Sequence, residues 1–169
     1  MPVRPATAED WQWINANADA VGGPQVVSNG VLHRLQDYPA CVAHTKNELT
    51  GFAVYIPDQP SCELLAIAAI SPGNGVGTTL MNWVEQAAAK LGCTHIWLAT
   101  TNDNLDAIKF YQRNSYTLLK LRPGAFKGVL RLKGLDPDST VIGNFGIPIR
   151  DEIQMEKELS HASPREVNR

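Results

Sequence analysis

Three glycines, Gly73, Gly75 and Gly77, alternate with other residues in "SPGNGVG", directly before a long amphipathic segment. A loop that only turns does not require all three. Glycine gives the backbone access to positive φ and removes the Cβ that blocks close approach of another group. Amides gathered ahead of a helix point at an anion, and the helix dipole adds to their pull. The spacing predicts a cradle for a phosphate or similar anion. A second feature bears on this. From Ala107 to Leu135 there is no acid, while Lys109, Arg113, Lys120, Arg122, Lys127, Arg131 and Lys133 all fall there. The stretch reads either as a solvated basic face or as a rim that attracts an anionic ligand.

Two phosphate signatures fail on spacing. A GxxxxGK[ST] loop from Gly73 needs glycine and lysine where Thr78 and Thr79 stand. A dinucleotide GxGxxG needs its last glycine at Thr78.

The elements that must hold this loop emerge from pattern. "CELLAIAAI" is a nearly continuous apolar run, as in a strand buried on both faces. After the glycines, Val76, Leu80, Val84, Ala87, Ala88 and Leu91 recur at helical spacing, and Gly92 supplies a stop. "THIWLAT" is a further buried strand, and "NLDAIKFYQRN" is a helix with Asn102 to Asn104 available for capping. Earlier, "VRPA" reads as a first strand. Thr7 is placed to cap a helix through "AEDWQWINANADA", with Glu9 and Asp10 favouring its dipole. "VGGPQVVSNG" reads as loop and "VLHRLQ" as a short helix, while "ACVAHTK" and "LTGFAVYIP" form a hairpin. After "YTLLKL" as a strand come a helical "AFKGVLRLKGL", a loop "DPDSTVIGNFGIP" and a last strand in "RDEIQMEKEL". Alternating strands and helices argue an α/β fold with a mixed sheet.

With 169 residues, 44% apolar and 19% charged, the chain has the length and composition of one globular domain. The domain is expected over residues 1–159, with a frayed tail at 160–169. A net charge of −2 argues for neither nucleic acid nor a membrane surface as partner. Cys41, Cys62 and Cys93 are widely separated and show no metal spacing, so no metal and no disulfide scaffold is expected. Without an apolar leader, a reduced, cytoplasmic protein is the expectation.

Strand, loop "PGNGVG" and helix together resemble the acetyl-CoA site of the GNAT family of N-acetyltransferases. Its pattern [QR]-x-x-G-x-[GA] is met from Pro72 to Gly77 at all but the first position. Its second block, N-x-x-A-x-x-x-Y-x-x-x-G-[FY], is met by Asn104, Ala107, Tyr111 and Tyr116, with Ser115 in place of glycine. The "GIPIRDEIQMEKEL" ending also looks like one bacterial branch, and the resemblance runs from Pro2 to Leu159.

The resemblance implies a mostly antiparallel sheet of six to seven strands flanked by about four helices, with a splayed parallel pair holding acetyl-CoA. The amides of Asn74, Gly75, Val76, Gly77 and Thr78 would cradle the pyrophosphate, with Thr79, Asn104 and Ala107 also expected at the cofactor. The pantetheine arm would pair with the main chain of Ile67, Ala68 and Ala69, and an amide near Ala68 would face the reacting oxygen. Tyr111 matches the tyrosine that protonates the leaving thiolate; the other reading is an ordinary core aromatic. Glu63 matches a general base that some members carry, and a carboxyl entering an apolar cleft has its pKa raised; the other reading is an exposed strand end. The acceptor is a small-molecule or peptide amine, met by "DAVGGPQVVSNGVLH", the loop after Tyr55 and "GNFGIPIRDE". Asp151 and Glu152 stand there either to attract a cationic amine or as strand-end charges. A homodimer is compatible with the family. A non-catalytic acyl-CoA sensor on the same fold is the competing class.

Overall fold

The strand, glycine loop and helix at the middle of the chain organise the computed structural model, which describes residues 1–71 and 73–160. Among the described residues nine strands form in chain order: β1 (Val3–Pro5), β2 (Gln25–Ser28), β3 (Val31–Arg34), β4 (Ala40–His44), β5 (Leu49–Asp58), β6 (Ser61–Ala69), β7 (His95–Thr101), β8 (Thr117–Arg122) and β9 (Glu152–Glu158). Seven of them make one sheet, ordered β1-β4-β5-β6-β7-β9-β8. Its neighbours are antiparallel except for β6 and β7. Four α-helices accompany it: α1 (Asp10–Ala16), α2 (Val76–Lys90), α3 (Leu105–Arg113) and α4 (Phe126–Leu132).

Period-two alternation sorts the core onto the two faces. Cys41, Ala43, Ala53 and Tyr55 pack with Val76, Leu80, Met81 and Val84 of α2, while Val42, Phe52 and Val54 pack with Ile14 of α1. Gly51 sets how closely α2 approaches the sheet. A Cβ there would lie 2.6 Å from the Ala68 carbonyl oxygen and 2.7 Å from Val76 Cγ1. The backbone oxygen has no rotamer by which to retreat. Gly51→Ala is expected to destabilise the protein by about 3 kcal/mol, read as a lower urea midpoint at unchanged slope.

Five expectations are corrected. The helix from residue 8 is shorter; α1 is followed by a separate 3₁₀ turn at Ala18–Val21. Its cap also runs in reverse, because the Thr7 amide donates to Asp10 Oδ2 at 2.7 Å and Arg4 pairs with the same carboxylate. The segment read as loop plus helix is a hairpin, β2–β3. Its turn residues Asn29 and Gly30 both have positive φ, 49° and 78°, as a two-residue type I′ turn requires. The loop expected after Tyr55 comes later and is only a turn at Gln59-Pro60, since β5 continues to Asp58. The loop before β9 contains a small hairpin, with Ile142 bridged to Pro148. Most of the expected tail, residues 161–169, lies outside the described residues, as does Pro72.

Candidate active site

Pairing between β6 and β7 covers only Ser61–His95, Cys62–Ile96 and Glu63–Trp97. Beyond these the strands part, and β6 supplies the cause. Val54 opposes Ala66 while Tyr55 opposes Leu64, so Leu65 is an extra residue. A bulge of this kind bends its strand and exchanges the faces taken by the residues after it. Cys62 and Leu64 accordingly pack on the α2 side, and Ala66 and Ala68 on the α1 side.

The opening is a cleft of about 390 Å³. One wall carries Leu65, Ala66 and Ile67 of β6, Ala99 to Thr101 of β7, and Asn104 and Tyr111 of the α3 segment. Ala20, Val21, Val26, Val27, Phe126 and Val129 add apolar groups to the lining, with Val21 and Val26 packed on the cluster that holds Ala66 and Ala68 of β6. Ser28, Asn144, Asp151 and Glu152 add polar groups, and Lys133 closes one side, its Nζ donating to the Gly22 carbonyl at 3.1 Å.

The main chain of β6 presents one edge to this cleft. Ile70 N donates to Thr50 O at 2.9 Å. Antiparallel bonding alternates, so Ala68, opposite Phe52, also directs its amide at β5. Ile67 and Ala69 direct theirs to the cleft side. Near Ala68, the amides on the cleft side are thus those of Ile67 and Ala69.

The three glycines have separate reasons. Gly73 and Gly75 hold φ of 106° and 70° with open space where a Cβ would stand. Gly77 lies within α2, where a Cβ would be 3.1 Å from Phe110 of α3. It lets the two helices touch. Asn74 is exposed, Val76 is buried in the core, and Thr79 donates its amide and hydroxyl to the Gly75 carbonyl. Among the described residues no side chain caps α2, and its first amides have no intrahelical acceptors. A groove beside that end is lined by Thr78, Asp106, Lys109, Phe110, Arg113 and Asn114. Of the acid-free basic run only Lys109 and Arg113 line this groove. Arg122 pairs with Glu152 and Lys127 with Asp138. Ala107 packs against the core, and Asn104 precedes α3 with its Nδ2 3.2 Å from Thr100 Oγ1.

Tyr111 is 9% exposed and lies between Phe110 and Tyr116, with ring centroids 5.5 and 6.0 Å away. Burial pushes its phenol up to about 12. Glu63 is 7% exposed, not a strand-end charge in water, and its Oε1 has no hydrogen-bond partner. Burial raises its pKa, the Ser28 hydroxyl opposes the rise, and the Glu152 charge adds to it. Glu152 itself is well held, accepting from the Asn29 amide, Arg122 Nη1 and Gln154 Nε2 at about 3.0 Å each.

Asn102 and Asp103 do more than stand before a helix. Asn102 Oδ1 accepts the amides of Arg150 and Asp151. Asp103, 3% exposed, accepts from the Asn144 amide at 2.9 Å and the Thr101 hydroxyl at 2.5 Å. A Cβ at Gly143 would collide with this carboxylate. The pair ties the 141–149 hairpin to the end of β7, at the rim of the cleft. Asp103→Ala is expected to cost about 1–3 kcal/mol and to speed hydrogen exchange at Asn144 and its neighbours.

Among the described residues no helix is long and apolar enough to cross a membrane, and no group of three metal-ligating side chains gathers.

A parallel pair that splays over a glycine-led helix defines a class of fold, and relatives share it. The profile described as "Acetyltransferase (GNAT) family" matches residues 8–116. The uncharacterized protein YxbD of Bacillus subtilis (strain 168) is 33% identical over 141 residues, covering 82% of this chain and 86% of its own. Among solved structures, a GNAT family acetyltransferase from Elizabethkingia anophelis with acetyl-CoA bound matches with a TM-score of 0.67 at 18% identity. That match covers 94% of this chain and 97% of the other. A Bacillus subtilis acetyltransferase in complex with CoA has a TM-score of 0.63 at 22% identity, covering 75% and 80%. The chain belongs to the GNAT acetyltransferase family and is an acetyltransferase.

Proposed function

We propose that residues 1–159 form one domain that transfers the acetyl group of acetyl-CoA directly to a primary amine, with both substrates bound together. The observation that carries this reading is the cleft where β6 leaves β7, which brings a free main-chain edge and Tyr111 to one place.

Each part of the chemistry has a supporting group. The amides opening α2, approached over Gly73 and Gly75, suit a pyrophosphate, and Lys109 and Arg113 add positive charge beside them. The main chain of Ile67 and Ala69 faces the cleft as a strand edge that an extended amide-bearing arm can pair with. Their amides are also placed to polarise a thioester oxygen. An amine arrives as an ammonium with a pKa of about 10.4 and must lose a proton before it attacks. Glu63, buried and short of a partner, is the base we assign to that step. As C–N forms and C–S breaks, the sulfur needs a proton, and the Tyr111 phenol, protonated below about 12, holds one. The apolar side chains of Val21, Val26, Val27, Phe126 and Val129 in the lining, together with Asp151 and Glu152, suit an amine on an apolar body.

Direct attack is also supported by the thiols. Cys41 and Cys62 are buried and pushed up to about 12, and burial raises Cys93 as well. Such thiols are poor nucleophiles at neutral pH, which disfavours an acyl-cysteine intermediate.

The test is purified protein with acetyl-CoA, a panel of primary amines and a thiol reagent. CoA release together with an acetylated amine by mass is the expected result. Tight CoA binding without turnover of any amine overturns the reading.

A further inference from the structure

Two buried side-chain atoms stand without hydrogen-bond partners among the described residues: Ser28 Oγ and Glu63 Oε1. They belong to elements far apart in sequence, yet they share one place. Glu63 lies opposite Trp97, and Trp97 opposite Glu156. Residues opposite one another share a face of the sheet, and so do residues two apart along β9. Glu63 therefore faces the same side as Gln154 and Glu152. That side is where the β2–β3 hairpin docks, with Asn29 bonded to both of those residues. Ser28 precedes Asn29, is 5% exposed, and lines the cleft, whereas Glu63, 7% exposed, is not among the lining residues. The hydroxyl also opposes the effect of burial on Glu63, as a nearby donor does.

The buried, unpartnered Oε1 needs an intermediary to exchange a proton with the cleft. We propose that Ser28 is that intermediary, a catalytic residue that takes the proton from the acceptor amine and passes its own to Glu63. The assignment rests on the amine-acetylation reading above. An ammonium nitrogen bound at Ser28 gives one proton to Oγ while the hydroxyl proton moves to Glu63 Oε1. The amine is left neutral with its lone pair free, the carboxylate becomes a carboxylic acid, and Ser28 ends as a hydroxyl. A serine hydroxyl donates and accepts at once, which the step requires. Glu63 later returns its proton to solvent by the same path.

Other charges on this face do not compete for the proton. Glu152 from β9 is held as an ion pair with Arg122 from β8 at 3.0 Å. Glu156 lies beyond Trp97 on the same row. His33 of the hairpin is bonded to the Tyr38 hydroxyl at 2.7 Å.

The experiment uses the full chain, acetyl-CoA and three amine probes: 2-phenylethylamine, spermidine and an alanine-initiated peptide. Ser28→Ala is expected to lower kcat/KM for the amine about a hundredfold, with the KM for acetyl-CoA and the melting temperature unchanged. Ser28→Thr restores activity. The double variant S28A/E63Q is no slower than E63Q alone, because both groups serve one step. A second readout needs no acceptor. The infrared band of the protonated Glu63 carboxyl, identified by its loss in E63Q, persists to higher pH in S28A. Turnover by S28A within twofold of wild type, additive single effects, or an unchanged carboxyl midpoint overturns the relay. Absence of wild-type turnover on every probe, with CoA bound, overturns the functional reading beneath it; an unmoved carboxyl midpoint in an active enzyme sinks the relay alone.

Discussion

Tyr111→Phe is expected to lower kcat about a hundredfold or more while the KM for acetyl-CoA stays near wild type. The substitution removes one oxygen and keeps the ring, so its packing against Phe110 and Tyr116 is retained. Stability should change little. The loss is that of a proton donor for the departing sulfur, and a thiolate leaves poorly into a buried, apolar setting. The phenol is suited to this because burial pushes it up to about 12, so it remains protonated throughout the neutral range. The same chemistry gives a rescue. An acetyl donor whose thiol is more acidic needs less help in leaving, so the ratio of wild-type to Y111F rates should shrink with such a donor. Equal kcat in the two proteins, measured by thiol release, would return Tyr111 to the role of core aromatic.

Much of this site is legible in the sequence because its parts are local. Gly73, Gly75 and Gly77 adjoin both the strand and the helix they join, and the spacing that excludes two nucleotide loops lies within eight residues. Asn104 and Tyr111 share one short helix segment, so their relation also survives in one dimension. The glycines have mixed causes that spacing alone does not separate. Gly77 is set by Phe110, and Gly51 by Ala68 and α2. Both are contacts between distant segments.

The hairpin β2–β3 differs from its sequence expectation although its signal is present. Asn29-Gly30 stands between "QVVS" and "VLHR", the dipeptide that a two-residue turn with two positive φ values favours. The preceding Gly22-Gly23-Pro24 outweighs it and suggests loop. Without the hairpin, Ser28 has no reason to stand out. Asn102 and Asp103 are hidden for a different reason. Their types and position do suit a helix cap, but their carboxyl and amide groups are taken by residues 144, 150 and 151. No local pattern announces a partner some forty residues away. The bulge at Leu65 is likewise invisible in an apolar run, since a shift of register changes which face a residue takes but not its type.

Glu63→Gln is expected to lower kcat/KM for the amine by about two to three orders of magnitude and to remove the acid limb of its pH profile. In wild type the base must be ionised, so activity falls as pH drops through the Glu63 pKa. That pKa lies above the ordinary carboxylate range because burial disfavours the charge, with Glu152 adding to the effect. Stability should move the other way. A carboxyl whose pKa is higher folded than unfolded binds more protons in the folded state, so it loses stability as pH rises through that window. Below the unfolded value of about 4.3 this contribution is fully present, and above the folded value it is gone. Glutamine does not titrate, so relative to wild type E63Q should gain stability on going from acid to neutral pH. Urea midpoints at several pH values measure this directly. A residue that merely fills the strand would give neither response. An E63Q protein with an intact acid limb would move the base elsewhere, and a stability difference that is flat with pH would show that the carboxyl is not buried in solution. Activity and stability that change in opposite directions are the expected signature of a charge kept in an unfavourable place for its chemistry.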